Sequence, residues 1–425
     1  MRFLLVATLI AALSSTAAHS AFRSDQSTEH LPRVFLLDAK TLAGQRQSGD
    51  SALATVVREA ADGAMKEGPF SVMDKDRVPP SGDKHDYMSQ GPYWWPNPKT
   101  PNGLPYIRRD GERNPEILKL SDHDNRERMQ RASLALALGF YLTGKESYAA
   151  RAALLLRTWF LEPATRMNPN LNFGQGIPGV TTGRGTGIID TVGLTDVVDA
   201  VGLLAGSTNW SANDQKGMEK WFADYLEWLR QSANGRDEAK ATNNHGTFYD
   251  MQVADFALFT NQTKLARDVI EEARQKRIAR QVEQNGSQPL EAARTRGFSY
   301  SVFNLTGLMD LAELGEHAEV DLWNFHTDDG RSIRRALDFL VPYAAGNKKW
   351  EHQQITEFKP QDLTPLLLQA SAKFHSAEYE KAAQTIGIPS HDLKAALLQA
   401  QLKAEAAGAE KAHAGLPATR GSGKR

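Results

Sequence analysis

Helical periods follow one another through most of this chain, and strand-like alternation is scarce; that succession limits the fold more than any single motif. Apolar residues recur at three- and four-residue spacing over Arg126–Leu142, which closes at Gly144, and over Glu146–Leu161, which stops before Pro163. Gly187–Leu204 follows. Ser211-x-x-Asp214 is a capping-box start for a helix with Met218, Trp221, Tyr225 and Leu229 on one stripe. Asn244–Phe259, Lys264–Val282, Tyr300–Leu314, Ile333–Ala345, Asp362–Phe374 and Ser376–Thr385 continue the series, with a first helix over Lys40–Lys66 and a weaker one over His391–Ala406. Connections are mostly short, so neighbouring helices pack as antiparallel pairs. The expected fold is all-α, an α/α toroid (an incomplete α/α barrel) of such pairs. The repeat is one of pattern, not of residue identity.

The ends read differently. Met1–Leu13 carries one positive charge and a short apolar run, and small residues lead to Ala18-His19-Ser20; this is the pattern of a secretory signal peptide cut after Ser20. The expected organisation is a signal peptide at 1–20, one helical domain at 21–404 and a disordered Ala/Gly/Lys-rich tail at 405–425, in a periplasmic or secreted protein with no membrane span. The 50 Lys and Arg balance 51 Asp and Glu. A polyanion must then be held by a local basic pocket, and a general nucleic-acid binder is disfavoured. The absence of cysteine excludes disulfides, thiolate metal sites and thiol nucleophiles.

Four stretches break the helical monotony. Ala241-Thr242-Asn243-Asn244-His245-Gly246-Thr247-Phe248-Tyr249 places two amides, an imidazole and a phenol together, with Asn243 as helix N-cap. His245, Tyr249 and Gln252 then share one helix face, as in a helix lining a wet cavity; an ordinary cap followed by a hydrogen-bonded histidine gives the same pattern. The long Pro/Gly/Asp-rich region from Gly68 to Asp122 contains Tyr93-Trp94-Trp95, aromatics that a disordered linker avoids, so an ordered loop or lid is expected. These rings either stack on sugars or anchor the loop. Arg166–Gly185 is rich in amides and glycine, with Asn172, Gln175 and Arg184 placed to bond hydroxyls or a carboxylate. In Glu291–Ser301, Arg294 and Arg296 precede Tyr300, whose phenol a nearby guanidinium would make more acidic.

Asn244-His245, followed about fifty residues on by Arg-x-Arg-Gly-x-x-Tyr, resembles the alginate lyase superfamily of α/α-toroid polysaccharide lyases. The Tyr93–Pro96 and Asn168–Gly185 loops add to the resemblance, which runs from Tyr87 to Leu314 and is closer to the mannuronan and glucuronan lyases of polysaccharide lyase family 38 than to family 5. Where family 5 has Asn-Asn-His-Ser-Tyr-Trp, this chain has Asn243-Asn244-His245-Gly246-Thr247-Phe248. The resemblance implies β-elimination on a 4-linked uronate polymer (alginate, polymannuronate or glucuronan), with a C4=C5 unsaturated product and no cofactor or metal. His85-Asp86 and His123-Asp124 are two separate dipeptides, short of a metal set.

Elimination needs the uronate carboxylate neutralised, the C5 proton removed and the departing O4 protonated. Expected catalytic residues are Tyr300, His245, Asn244 and Arg294. Asn244, His245 and an arginine hold the carboxylate, and Tyr300 takes H5 and returns a proton to O4. Binding of the carboxylate, lowering of the tyrosine pKa and service as the base are all open to His245. Arg296, Tyr249, Gln175, Arg184, Asn172, Tyr93, Trp94 and Trp95 are expected to bind substrate. The alternatives are a glycoside hydrolase of similar architecture, for which Asp190, Asp196 and Asp250 are candidate acids, and a non-catalytic oligosaccharide-binding protein.

Overall fold

In the computed structural model, which describes residues 31–48, 52–389 and 392–414, the helix Asn244–Phe259 is buried at every residue except His245. A helix apolar on all sides belongs inside a second layer of helices. Ser121–Thr143, Leu194–Leu203, Asn244–Phe259 and Gly297–Ala318 pack successively on one another as that inner layer. Outside it lie one-sided helices: Glu146–Leu156 on Ser121–Thr143, Ala212–Gln231 and Thr263–Ala273 on Asn244–Phe259, and Ile333–Ala344 on Gly297–Ala318. The connection Gly144-Lys145 is two residues long, with Gly144 at φ 70° closing its helix, so the flanking pair must run antiparallel. This is the α/α-toroid arrangement. Each fully buried Leu or Phe of the inner layer, such as Phe256 or Leu305, contributes about 1.5–3 kcal/mol.

Several boundaries differ from expectation for identifiable reasons. The segment expected as one helix to Lys66 is two, Ala39–Ser48 and Ala52–Ala64. Glu146–Leu161 and Lys264–Val282 each contain a wide π turn, Arg157–Leu161 and Arg274–Ile278, which apolar spacing does not reveal. The helix Leu393–Ala414 runs into the tail expected to be disordered from 405, because Ala, Glu and Lys are strong helix formers. The signal peptide and residues 415–425 lie outside the described residues.

The irregular segments are ordered by two small sheets. Met88–Gln90 pairs in parallel with Phe173–Gly176, and Trp94–Trp95 pairs antiparallel with Ile107–Arg108. A Cβ on Gly187 would sit 2.4 Å from the carbonyl oxygen of Gly174, so glycine there lets the amide-rich loop fold back on itself.

A buried acidic cluster ties the first described segment to the inner layer. Asp199 accepts the backbone N–H groups of Phe35, Leu36 and Leu37 at 2.6, 3.1 and 3.0 Å. Burial pushes its carboxyl up to about 7 and that of Asp196 up to about 6. The folded state therefore holds these protons more tightly than the unfolded chain. Their contribution to stability is complete below about pH 4 and is lost as pH rises through about 6 to 7. The melting temperature is expected to fall from about pH 5 to about pH 8, and Asp196→Asn should flatten that fall; an identical slope in the variant would contradict the assignment.

Candidate active site

The segment before Asn244 is clamped from outside. Arg277, displaced by the π turn Arg274–Ile278, donates from Nη1 to the Ala241 carbonyl at 2.5 Å and from Nη2 to that of Ala239 at 3.0 Å. Its Nε donates to Asp250 at 2.7 Å. A Cβ on Gly246 would lie 2.1 Å from the Ala241 oxygen and 2.2 Å from Arg277, which accounts for glycine where family 5 has serine. Asn243 caps the helix through the His245 N–H at 3.3 Å.

Two buried acids orient the next two residues. Glu291 accepts the backbone N–H of Asn244 at 2.6 Å and its side-chain Nδ2 at 2.7 Å. Glu238, 2% exposed, lies 2.6 Å from Nδ1 of His245. A carboxylate there fixes the proton on Nδ1 and leaves Nε2 as the ring nitrogen free for substrate. It also supplies a counter-charge for an imidazolium.

Tyr300 opens the helix Gly297–Ala318, whose first N–H is held by the Gln353 carbonyl at 2.9 Å. Its hydroxyl donates to that of Tyr93 at 2.7 Å. The Arg294 guanidinium sits over its ring, 3.8 Å from the centroid. Arg294 is itself engaged by Asp110, with Nη2 to Oδ1 at 2.7 Å and Nε to the two oxygens at 3.2 and 3.1 Å. Burial, and then the neighbouring Tyr93, hold the Tyr300 hydroxyl above the ordinary tyrosine range, with Arg294 a smaller opposing influence. The guanidinium thus does not give a resting phenolate: it faces the ring, and its charge is matched by Asp110. Tyr300 rests as a protonated phenol.

These parts meet in one cleft of about 630 Å³, lined by Asn244, His245, Arg294 and Tyr300 together with Tyr93, Trp94, Gln175 and Arg184. The four residues expected to be catalytic come together, and so do four of those expected to bind substrate. The other four do not. Tyr249 is buried, its hydroxyl donating to the Leu229 carbonyl at 3.0 Å, and Gln252 of the same face accepts from Thr191 at 2.8 Å; beyond its first turn that face belongs to the core. Arg296 lies outside the cleft lining, its backbone bridged to that of Gln354; Asn172 accepts from the Trp228 indole at 3.0 Å, and Trp95 donates to the Glu112 carbonyl at 2.9 Å. Tyr93 lines the cleft as expected, but its hydroxyl serves Tyr300.

Arg184 brings a further cation to the cleft. Its Nη2 donates to Gln175 Oε1 at 2.8 Å and its Nε to the Gln175 carbonyl at 3.1 Å, and among the described residues it makes no ion pair. Gln175 has φ 49° and passes the constraint on, donating from Nε2 to Asp190 at 2.8 Å. Asp190 also accepts from Ser89 at 2.5 Å and Tyr87 at 3.1 Å. The amide between Asp190 and Arg184 holds the guanidinium without neutralising it. Glu238, Glu291, Asp110 and Asp190 were not singled out as these partners from sequence; no local spacing marks them.

Glu238→Gln keeps the size of the side chain and removes its charge. Turnover is expected to fall at least about tenfold, because the imidazole loses the carboxylate that fixes its Nδ1 proton and ring orientation. Unchanged turnover in the variant would leave Glu238 a purely structural role.

Residues 71–350 match the family model for alginate lyase. A crystal structure of an alginate lyase from Bacteroides ovatus is 40% identical, covering 87% of this chain and 99% of that one, at a TM-score of 0.83. An alginate lyase of Sphingomonas species A1 is 17% identical, covering 86% and 95%, at a TM-score of 0.58, and supports the fold alone. Comparison with curated proteins gives no match.

Proposed function

Since this chain belongs to the alginate lyase family, we propose that it cleaves alginate at its mannuronate units, or a closely related 4-linked polyuronate such as glucuronan, by β-elimination. The observation that carries this reading is the convergence of Tyr300, Asn244 and the Glu238-supported His245 on one cleft with Arg184, which makes no ion pair among the described residues.

The chemistry follows from the resting protonation. Tyr300 holds its proton, so it must give it up before it can act as a base. His245 Nε2 accepts it, and Glu238 stabilises the resulting imidazolium. The imidazolium, Asn244 and Arg184 then neutralise the uronate carboxylate and stabilise the negative charge that builds on it when the C5 proton leaves. The Tyr300 phenolate, supported by the Tyr93 hydroxyl, takes that proton. It returns it to O4 as the C4–O4 bond breaks and C4=C5 forms, and the imidazolium proton goes back to Tyr300. Mannuronate and glucuronate carry H5 and O4 on one face, so a single phenol serves both steps.

A hydrolase needs two working carboxylates. Asp190 is saturated by three donors, Asp250 is paired with Arg277, and Asp196 lines a different cavity, with Asp199 and Asp310. The apolar run at Met1–Leu13 supports export to the periplasm or beyond, where such polymers are met.

The test is a panel of polymannuronate, polyguluronate, mixed alginate and glucuronan, followed by the ultraviolet absorbance of the unsaturated product. Polymannuronate or glucuronan should be cleaved faster than polyguluronate. A preference for polyguluronate would contradict the one-face mechanism, and no absorbance on any polymer would contradict the lyase reading.

A further inference from the structure

One wall of the cleft carries donors that the chemistry above does not use. Arg126, on the helix Ser121–Thr143, lines the cleft and its side chain is only 3% exposed. Its Nη1 donates to Gln130 Oε1, and its Nη2 lies 3.5 Å from Glu127, at the edge of hydrogen-bond reach. Its buried Nε has no acceptor among the described residues. Gln90, on the strand Met88–Gln90, lines the same cleft, and its Nε2 is likewise buried without an acceptor. Asp190, the nearby buried acid, is already occupied by Tyr87, Ser89 and Gln175.

A buried N–H without an acceptor is costly, and a buried guanidinium with weak compensation more so. Two such donors, from separate elements facing one cavity, are explained together by an acceptor that arrives with the substrate. Only donors are left over, one of them cationic, so the acceptor that fits is an anion with two oxygens. The site is also built to hold its shape. A Cβ on Gly193 would lie 2.0 Å from Gln130 Nε2, so the bare backbone at 193 lets the Gln130 amide lie where it fixes Arg126.

We propose that Arg126 and Gln90 form a second carboxylate subsite, which takes a uronate unit of the chain other than the one whose C5 proton is removed. The inference rests on the polyuronate reading for its ligand. Its consequence is that recognition spans at least two acidic sugars: Asn244, His245 and Arg184 hold the reacting carboxylate, and Arg126 with Gln90 hold another.

The test is calorimetric titration of a mannuronate tetrasaccharide, and of the same tetrasaccharide with its carboxyls reduced to alcohols, into Tyr300→Phe protein with and without Arg126→Gln or Gln90→Leu. Arg126→Gln should weaken binding of the acidic tetrasaccharide about tenfold or more. Gln90→Leu should weaken it less, and neither should alter binding of the reduced sugar. Unchanged affinity in variants with wild-type melting curves would overturn the proposal. So would an equal loss on the reduced sugar, which marks a hydroxyl contact or a structural role. Should Arg126→Gln fail to fold, Gln90→Leu decides alone. If wild-type protein makes no unsaturated product while the calorimetric difference persists, the subsite stands and the lyase reading fails.

Discussion

Tyr300→Phe is expected to lower kcat on the best uronate polymer by at least about 10²–10⁴-fold, since one hydroxyl serves as both base and acid. The ring remains, so its stacking with Arg294 is kept. The loss is one partly buried hydrogen bond to Tyr93, a stability cost of about 0.5–1.5 kcal/mol. KM should change little, because Asn244, His245 and Arg184 still hold the carboxylate. Near-normal turnover in the variant would remove Tyr300 from the chemistry and leave His245 as the base.

His245→Ala has the other large effect, and its signature differs. The imidazole is asked both to hold the Tyr300 proton and to donate to the uronate carboxylate. Losing one such preorganised donor costs about 10²–10³-fold in kcat, and the lost carboxylate contact should raise KM as well. Glu238, nearly fully buried, is then left without its partner, so a lower melting temperature is expected in addition. A variant with normal KM and reduced kcat would confine His245 to proton transfer. Steady-state kinetics at several pH values, with melting curves, separate these outcomes.

The series of helical periods was enough for the all-helical layered fold, because burying one stripe per helix and connecting helices briefly leaves few other arrangements. What it blurred were the π turns at Arg157–Leu161 and Arg274–Ile278, which change no residue type yet redirect the chain; the second aims Arg277 at the active-site loop. Asn244, His245 and Tyr300 were legible because cap, imidazole and phenol stand in short irregular stretches between helices. Tyr249 and Gln252 were misplaced for a related reason. Helical spacing shows which residues share a face, but not where that face passes from cleft into core.

The supporting acids were illegible for a plainer reason. Asp110 meets Arg294 across 184 positions, and Glu291 meets Asn244 across 47. Spacing along a chain carries no trace of such contacts. As a consequence the two arginines exchanged emphasis. Arg294, beside the tyrosine in sequence, is matched by Asp110. Arg184, in a glycine-rich loop, makes no ion pair among the described residues, because an amide, not a carboxylate, holds it.

The most direct test of the central claim is cleavage of polymannuronate in heavy-oxygen water, with mass spectrometry of the fragments. β-Elimination breaks the C4–O4 bond without consuming water. The account therefore predicts fragments with unsaturated ends, each lighter by one water than a hydrolytic product, and no heavy oxygen incorporated during bond cleavage. Fragments that are all saturated, with none lighter by one water, would contradict it.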